Sequence, residues 1–119
     1  MHELSIASAI VETAARHANG KRVALVEVKV GRLRQVVPRA LEFAFELVAQ
    51  GTPVEAAELR IEEVPVQVAC RACAADSCAA EFPLACARCG SLDVDVAAGE
   101  ELYVEALELE EAEALAARR

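Results

Sequence analysis

The sequence predicts an α+β fold: a small three-stranded sheet with two helices, plus an inserted zinc-ribbon-like lobe. Three observations carry this. Two segments repeat apolar residues at three- and four-residue steps, and three segments alternate apolar with polar residues. All five cysteines fall between the second and third alternating segments.

Residues 3–18 form the first expected helix. Leu4, Ala7, Ile10 or Val11, and Ala14 make its apolar stripe, Glu3 suits the positive end of the helix dipole, and Asn19-Gly20 is a stop signal. Residues 22–30 read as a strand, with Val26, Val28 and Val30 inward and Glu27 and Lys29 outward, ended by Gly31. Pro38 is suited to the first position of a second helix, whose inner face is Leu41, Ala44, Phe45 and Val48 and whose end is Gly51-Thr52-Pro53.

Leu59 and Ile61 against Arg60 and Glu62 mark a second strand. Its alternation continues through Val64, Val66 and Val68, with Pro65 predicting an edge or a break. Residues 100–110 give the third strand. Leu102 and Val104 share one parity, Leu107 and Leu109 the other, and the shift at Ala106 predicts a bulge. Residues 111–119 read as a frayed helical tail. The expected division is a discontinuous α/β domain, 1–66 with 99–119, and a metal-binding domain, 67–98. The latter has few core candidates (Phe82, Leu84, Leu92, Val94, Val96), so burial alone cannot hold it and a metal staple is expected.

Composition narrows the function. Twelve Lys+Arg face 20 Asp+Glu, a formal net charge of -8, and aromatic residues are only 3%. A phosphate backbone needs clustered cations and bases need stacking rings, so nucleic acid is not an expected partner. No stretch reaches the roughly 18 to 20 apolar residues of a membrane helix, and Met1-His2-Glu3 opens no secretory signal. The expectation is a cytoplasmic protein that does not enter a membrane.

Cys70-x2-Cys73 is followed, twelve residues later, by Cys86-x2-Cys89. Each pair lets one tight turn aim two sulfurs at a point, and two such turns supply the corners of a tetrahedron, which Zn2+ accepts. Four thiolates leave no open position, so the site is expected to be structural, not catalytic. Gly90 follows the second pair and tolerates a left-handed turn; Ala74 stands at the matching place after the first. Cys78 reads as a spare thiol on a loop.

At the chain start, the α-amine of Met1, the amide of His2 and its imidazole can close adjoining chelate rings on one ion. The amide or carboxylate of Glu3 can supply a fourth donor. Such a planar nitrogen set suits Ni(II) or Cu(II). His17 lies about 22 Å from His2 along a helix rising 1.5 Å per residue, so it shares no site with it and reads as a surface residue.

These pieces together resemble the HypA/HybF family of hydrogenase nickel-incorporation accessory proteins. The resemblance is carried by Met1-His2-Glu3-Leu4-Ser5, Val28-Lys29-Val30-Gly31, Leu41-Glu42-Phe43-Ala44-Phe45, Gly51-Thr52-Pro53, Ala57-Glu58-Leu59 and the cysteine pairs. It implies a nickel metallochaperone and not an enzyme. It implies nickel cargo at His2, with Met1 and Glu3 supporting, and structural zinc at Cys70, Cys73, Cys86 and Cys89. Its implied partners are the nickel-handling GTPase HypB and the [NiFe]-hydrogenase large subunit, with urease accessory proteins in some members. Where some members carry an acidic residue near the start of the second helix, this chain has Arg39. The competing reading, a zinc-ribbon module contacting nucleic acid or a transcription complex, fits the cysteines but not the charge balance. A metalloenzyme centred on His2 and Glu3 lacks a supporting catalytic set.

Overall fold

The computed structural model describes residues 2–110. Met1 and residues 111–119, including the expected helical tail, lie outside the described residues. The elements run α1 (Glu3–Ala18), β1 (Val23–Gly31), a 3-10 turn (Arg32–Arg34), α2 (Pro38–Ala49), β2 (Glu58–Val64), β3 (Gln67–Cys70), β4 (Asp76–Cys78), β5 (Val94–Ala98) and β6 (Leu102–Leu109). Two three-stranded sheets result, ordered β2-β1-β6 and β4-β3-β5. The α+β class is as the sequence predicts.

The backbone contacts divide the chain into two units. One comprises Met1–Val28, Val36–Glu62 and Tyr103–Arg119, the other Lys29–Gln35 and Glu63–Leu102. Among the described residues of the first unit, α1 packs against α2. Its core is Ile6, Ala7, Ile10, Val11, Ala14 and Ala18 of α1, Leu41, Ala44, Phe45 and Ala49 of α2, and Val23, Leu25, Val26 and Val28 of β1, with Val54 from the following loop. Leu4, expected in the α1 stripe, is exposed at 57% and Ile6 takes the inward place. Periodicity alone cannot tell the end of a stripe from its middle, and of residues 3–6 only Ile6 is buried.

Local chemistry sets the helix ends. Asn19 closes α1 in the left-handed conformation at φ 53°. Pro38 opens α2 as expected. Thr52 ends it: its hydroxyl donates to the Ala49 carbonyl at 2.6 Å and accepts from the Val54 N–H at 3.2 Å. That turn delivers Val54 to the core and lets the Pro53 carbonyl accept from the Val23 N–H at 3.0 Å.

In the second unit the alternation after Ile61 does break near Pro65, as its missing N–H requires: β2 ends at Val64 and β3 starts at Gln67. β3 pairs antiparallel with β4 and with β5, setting Val68 opposite both Ser77 and Val96 and Cys70 opposite Val94. Residues 29–35 are tied to 99–101: the N–H groups of Gly31 and Leu33 donate to the carbonyls of Glu101 (2.6 Å) and Gly99 (2.9 Å), and Arg34 Nε donates to Glu100 O at 2.7 Å. The approach is so close that a Cβ on Gly31 would overlap the Gly99 carbonyl. Gly31 is therefore required by space; its φ of -72° is ordinary.

Among residues 67–98, burial is confined to Val68, Cys70 and Cys86. Of the expected core candidates, Phe82, Leu92 and Val96 are exposed, and Leu84 and Val94 are half-buried. A lobe this small has no second layer to cover them. Its interior is occupied mainly by sulfur.

Candidate metal centres

The four sulfurs of Cys70, Cys73, Cys86 and Cys89 all lie within 4.8 Å of one another. Two matching turns bring them there. In the first, the Cys70 N–H donates to Ala75 O (2.9 Å) and the Ala74 N–H to Cys70 O (3.0 Å). In the second, the Cys86 N–H donates to Ser91 O (2.9 Å) and the Gly90 N–H to Cys86 O (2.9 Å). The residue after each pair is left-handed, Gly90 at φ 77° and Ala74 at φ 61°. Ala74 therefore takes the glycine conformation despite its Cβ, because the turn demands it.

Main-chain N–H groups point at the sulfurs. The Cys73 N–H lies 3.4 Å from Cys70 Sγ, and the Arg88 N–H 3.4 Å from Cys86 Sγ. Such donors favour thiolate over thiol. The N–H of Cys73 accordingly holds Cys70 below the usual thiol range. Those of Cys89 and Arg88 pull Cys86 down to about 6. Cys89 goes the other way: the Ser91 N–H pulls it down, but the bond from Cys70, burial and the neighbouring sulfurs of Cys73 and Cys86 together push it up to about 12. Four sulfurs this close cannot all ionise without a cation among them. A bound divalent cation reverses that opposition and deprotonates coordinating thiols outright.

The spacing fits a tetrahedral ion. Zn–S bonds of about 2.3 Å imply sulfur–sulfur edges of about 3.8 Å. Cys70 and Cys89 are 3.6 Å apart, as are Cys73 and Cys86. These are not disulfides, whose sulfurs sit about 2.0 Å apart. The close pairs each join one turn to the other, so an ion there would staple the two. Cys78 lies on β4, exposed and outside the cluster.

The other candidate residues stand at the start of α1. His2 is the N-cap, extended at φ -82° and ψ 93°, and its side chain is exposed. Its carbonyl accepts the first helical hydrogen bond, from the Ile6 N–H at 3.2 Å. Glu3 opens the helix, and its Oε2 accepts from the Val37 N–H at the start of α2, 3.2 Å away. That bond comes first among the causes that hold the Glu3 carboxyl below the usual carboxylate range; its own N–H adds to it. His17 is exposed in the last turn of α1, its Nδ1 2.9 Å from the Thr13 carbonyl. Met1 lies outside the described residues.

Comparison with known proteins decides the family. The family model described as HypA, hydrogenase/urease nickel incorporation, metallochaperone, matches residues 1–109. This chain belongs to the HypA family. It is similar to the hydrogenase maturation factor HypA of Desulfitobacterium hafniense, 41% identical over 114 residues covering 93% of this chain and 100% of that one. It is also similar to the HypA of Geobacter sulfurreducens, 42% identical over 115 residues, 92% of this chain and 100% of that one. The solution structure of the Ni metallochaperone HypA from Helicobacter pylori aligns with a TM-score of 0.65 at 25% identity, covering 92% of this chain and 97% of that one. HypA-family proteins are nickel metallochaperones of hydrogenase maturation. The four-cysteine cluster of this HypA-family chain is of a kind that can hold a metal such as zinc. No helix among the described residues is long and apolar enough to cross a membrane.

Proposed function

We propose that this protein carries Ni(II) on the first residues of its chain and surrenders it to a hydrogenase precursor, while zinc in the four-cysteine cluster serves as scaffold. The observation that carries this reading is a family match beginning at residue 1, combined with an exposed His2 at the helix start. The amides of the first residues have no intrahelical acceptor, as at any helix N-terminus. The amide of His2, the N-cap, is therefore the one offered to a metal, since the Glu3 N–H already donates to the Glu3 carboxylate. The donors in this reading are the amine of Met1, the amide and imidazole of His2, and Glu3. The Glu3 carboxylate accepts from the Val37 N–H and so fixes the first turn beside His2.

A site built of a chain end and a few main-chain atoms suits a carrier, because a recipient can replace donors one at a time. The four cysteines offer no open position and suit retention. In this reading residues 1–66 with 99–119 handle nickel, residues 67–98 hold zinc, and the protein catalyses no reaction. The partners are those of the maturation machinery: a nickel-handling GTPase such as HypB, the [NiFe]-hydrogenase large subunit and, in some settings, urease accessory proteins. The work is done in the cytoplasm.

His2→Ala tests it. The variant should keep one tightly bound zinc per chain and an unchanged circular dichroism spectrum, and lose stoichiometric nickel binding. Retained nickel binding at wild-type affinity would reject the terminal site.

A further inference from the structure

A charged cluster in the second unit is used by neither metal reading. Arg71 sits inside the first cysteine turn, between Cys70 and Cys73. Its guanidinium grips Asp95 with two nitrogens, Nε to Oδ2 at 3.0 Å and Nη2 to Oδ1, and Asp93 with the third, Nη1 to Oδ1 at 2.6 Å. Its main-chain N–H donates to the Asp93 carbonyl at 3.0 Å. The strand pairing of β3 with β5 ends at Cys70 opposite Val94. Beyond that point the exposed segment Arg71–Cys73 is held to β5 by Arg71 alone among the side-chain hydrogen bonds described.

Metal escape from a four-thiolate site starts when one turn swings a sulfur away. The first turn carries Cys73, which is exposed, and leans on a left-handed alanine. We propose that Arg71 is a positioning residue for the cysteine site: its clasp on Asp93 and Asp95 holds the first turn closed and slows release of the bound ion. The proposal rests on the zinc reading above. A planar, forked cation is what makes the grip bidentate, and lysine cannot reproduce it. All three partners are more than half exposed, so the clasp weakens with salt.

The test uses full-length, zinc-loaded protein and a chromophoric chelator, with release rates measured at low and high salt. Arg71→Gln should release zinc roughly fivefold faster at low salt, and Asp95→Asn, which leaves the bond to Asp93, should also release it faster than wild type but by less. The double variant should be no faster than Arg71→Gln, because losing the guanidinium already removes the bonds to Asp95. Arg71→Lys should fall between. Wild-type release should speed up with salt and approach the Arg71→Gln rate, which should respond little. Cobalt-substituted forms should all keep the same thiolate-to-metal absorption, showing an intact ligand set. Wild-type rates in both single variants, or additive effects in the double, would overturn the clasp while leaving the zinc site standing. Wild-type protein without stoichiometric zinc would overturn both. If Arg71→Gln does not fold, the rate of Asp95→Asn decides by the same criterion.

Discussion

The carboxylate of Glu3, on the first residue of α1, accepts a hydrogen bond from the backbone N–H of Val37, the N-cap of α2. Residues 34 apart in sequence thus hold the two helix starts together. Val37 has no side-chain cap, so Glu3 reaches across to satisfy an N–H that its own helix leaves unpaired. The acid also sits next to His2, so the link lies between the helix pair and the proposed nickel site.

Glu3→Ala should therefore loosen the chain start without unfolding the core. Amide exchange at Val37 should accelerate about tenfold, while exchange within the buried stretch of α1 stays slow. Glu3→Gln retains an oxygen acceptor and should show a smaller effect. Native-state hydrogen exchange measures both.

The same bond makes the link pH-dependent. The folded Glu3 carboxyl titrates below its ordinary value of 4.5. A depressed acid stabilises the fold fully above the unfolded value and loses that contribution as pH falls through the lower, folded one. Titrating the Glu3 carboxyl by NMR should give a midpoint below 4.5, and it should return toward that value in a variant with Val37→Pro, which lacks the N–H donor.

Ala74 occupies a left-handed conformation that Gly90 matches in the other cysteine turn. A non-glycine residue there costs about 1–2 kcal/mol, and glycine gives back part of that through its looser unfolded chain. Ala74→Gly should stabilise the zinc-loaded form by about 0.5–1 kcal/mol in chelator-challenged thermal melts. Gly90→Ala should destabilise it by a similar or larger amount.

Gly31 tests space in place of dihedral freedom. A methyl there overlaps the Gly99 carbonyl. Gly31→Ala should cost about 1–3 kcal/mol in denaturant unfolding, as overpacked sites do.

Within the helices, Leu41 is fully buried and Leu4 exposed. Leu41→Ala should cost about 2–5 kcal/mol. Leu4→Ala should fall within about 0.5 kcal/mol of wild type, as surface changes do. Equal costs would mean the first turn of α1 packs deeper than described.

The contrast between Leu4 and Ile6 shows where sequence reading stops. Periodicity located α1, α2 and the strand around Val28, and Pro38, Asn19 and Pro65 marked boundaries because each acts through its own backbone. Which residue at the end of a stripe turns inward depends on where the facing element stops, and local spacing does not carry that. The cysteine cluster was legible because two-residue spacing constrains the turn itself. The β4-β3-β5 sheet around it was not, since β4 is three residues long and polar. The 3-10 turn at Arg32–Arg34 likewise leaves no periodic trace. The bond from Glu3 to Val37 and the clasp of Arg71 are long-range pairings of ordinary surface residues. A carboxylate or guanidinium in a sequence does not announce its partner.

Two metals with separate duties form the centre of this account. The most direct measurement is nickel calorimetry on untagged, zinc-loaded protein with a free amine on Met1, set beside the same protein N-acetylated. The account predicts about one exchangeable nickel per chain for the free form and none of comparable affinity for the acetylated form, with zinc content and fold equal in both. Equal nickel affinity in the two, or nickel that enters only by displacing zinc, would contradict it.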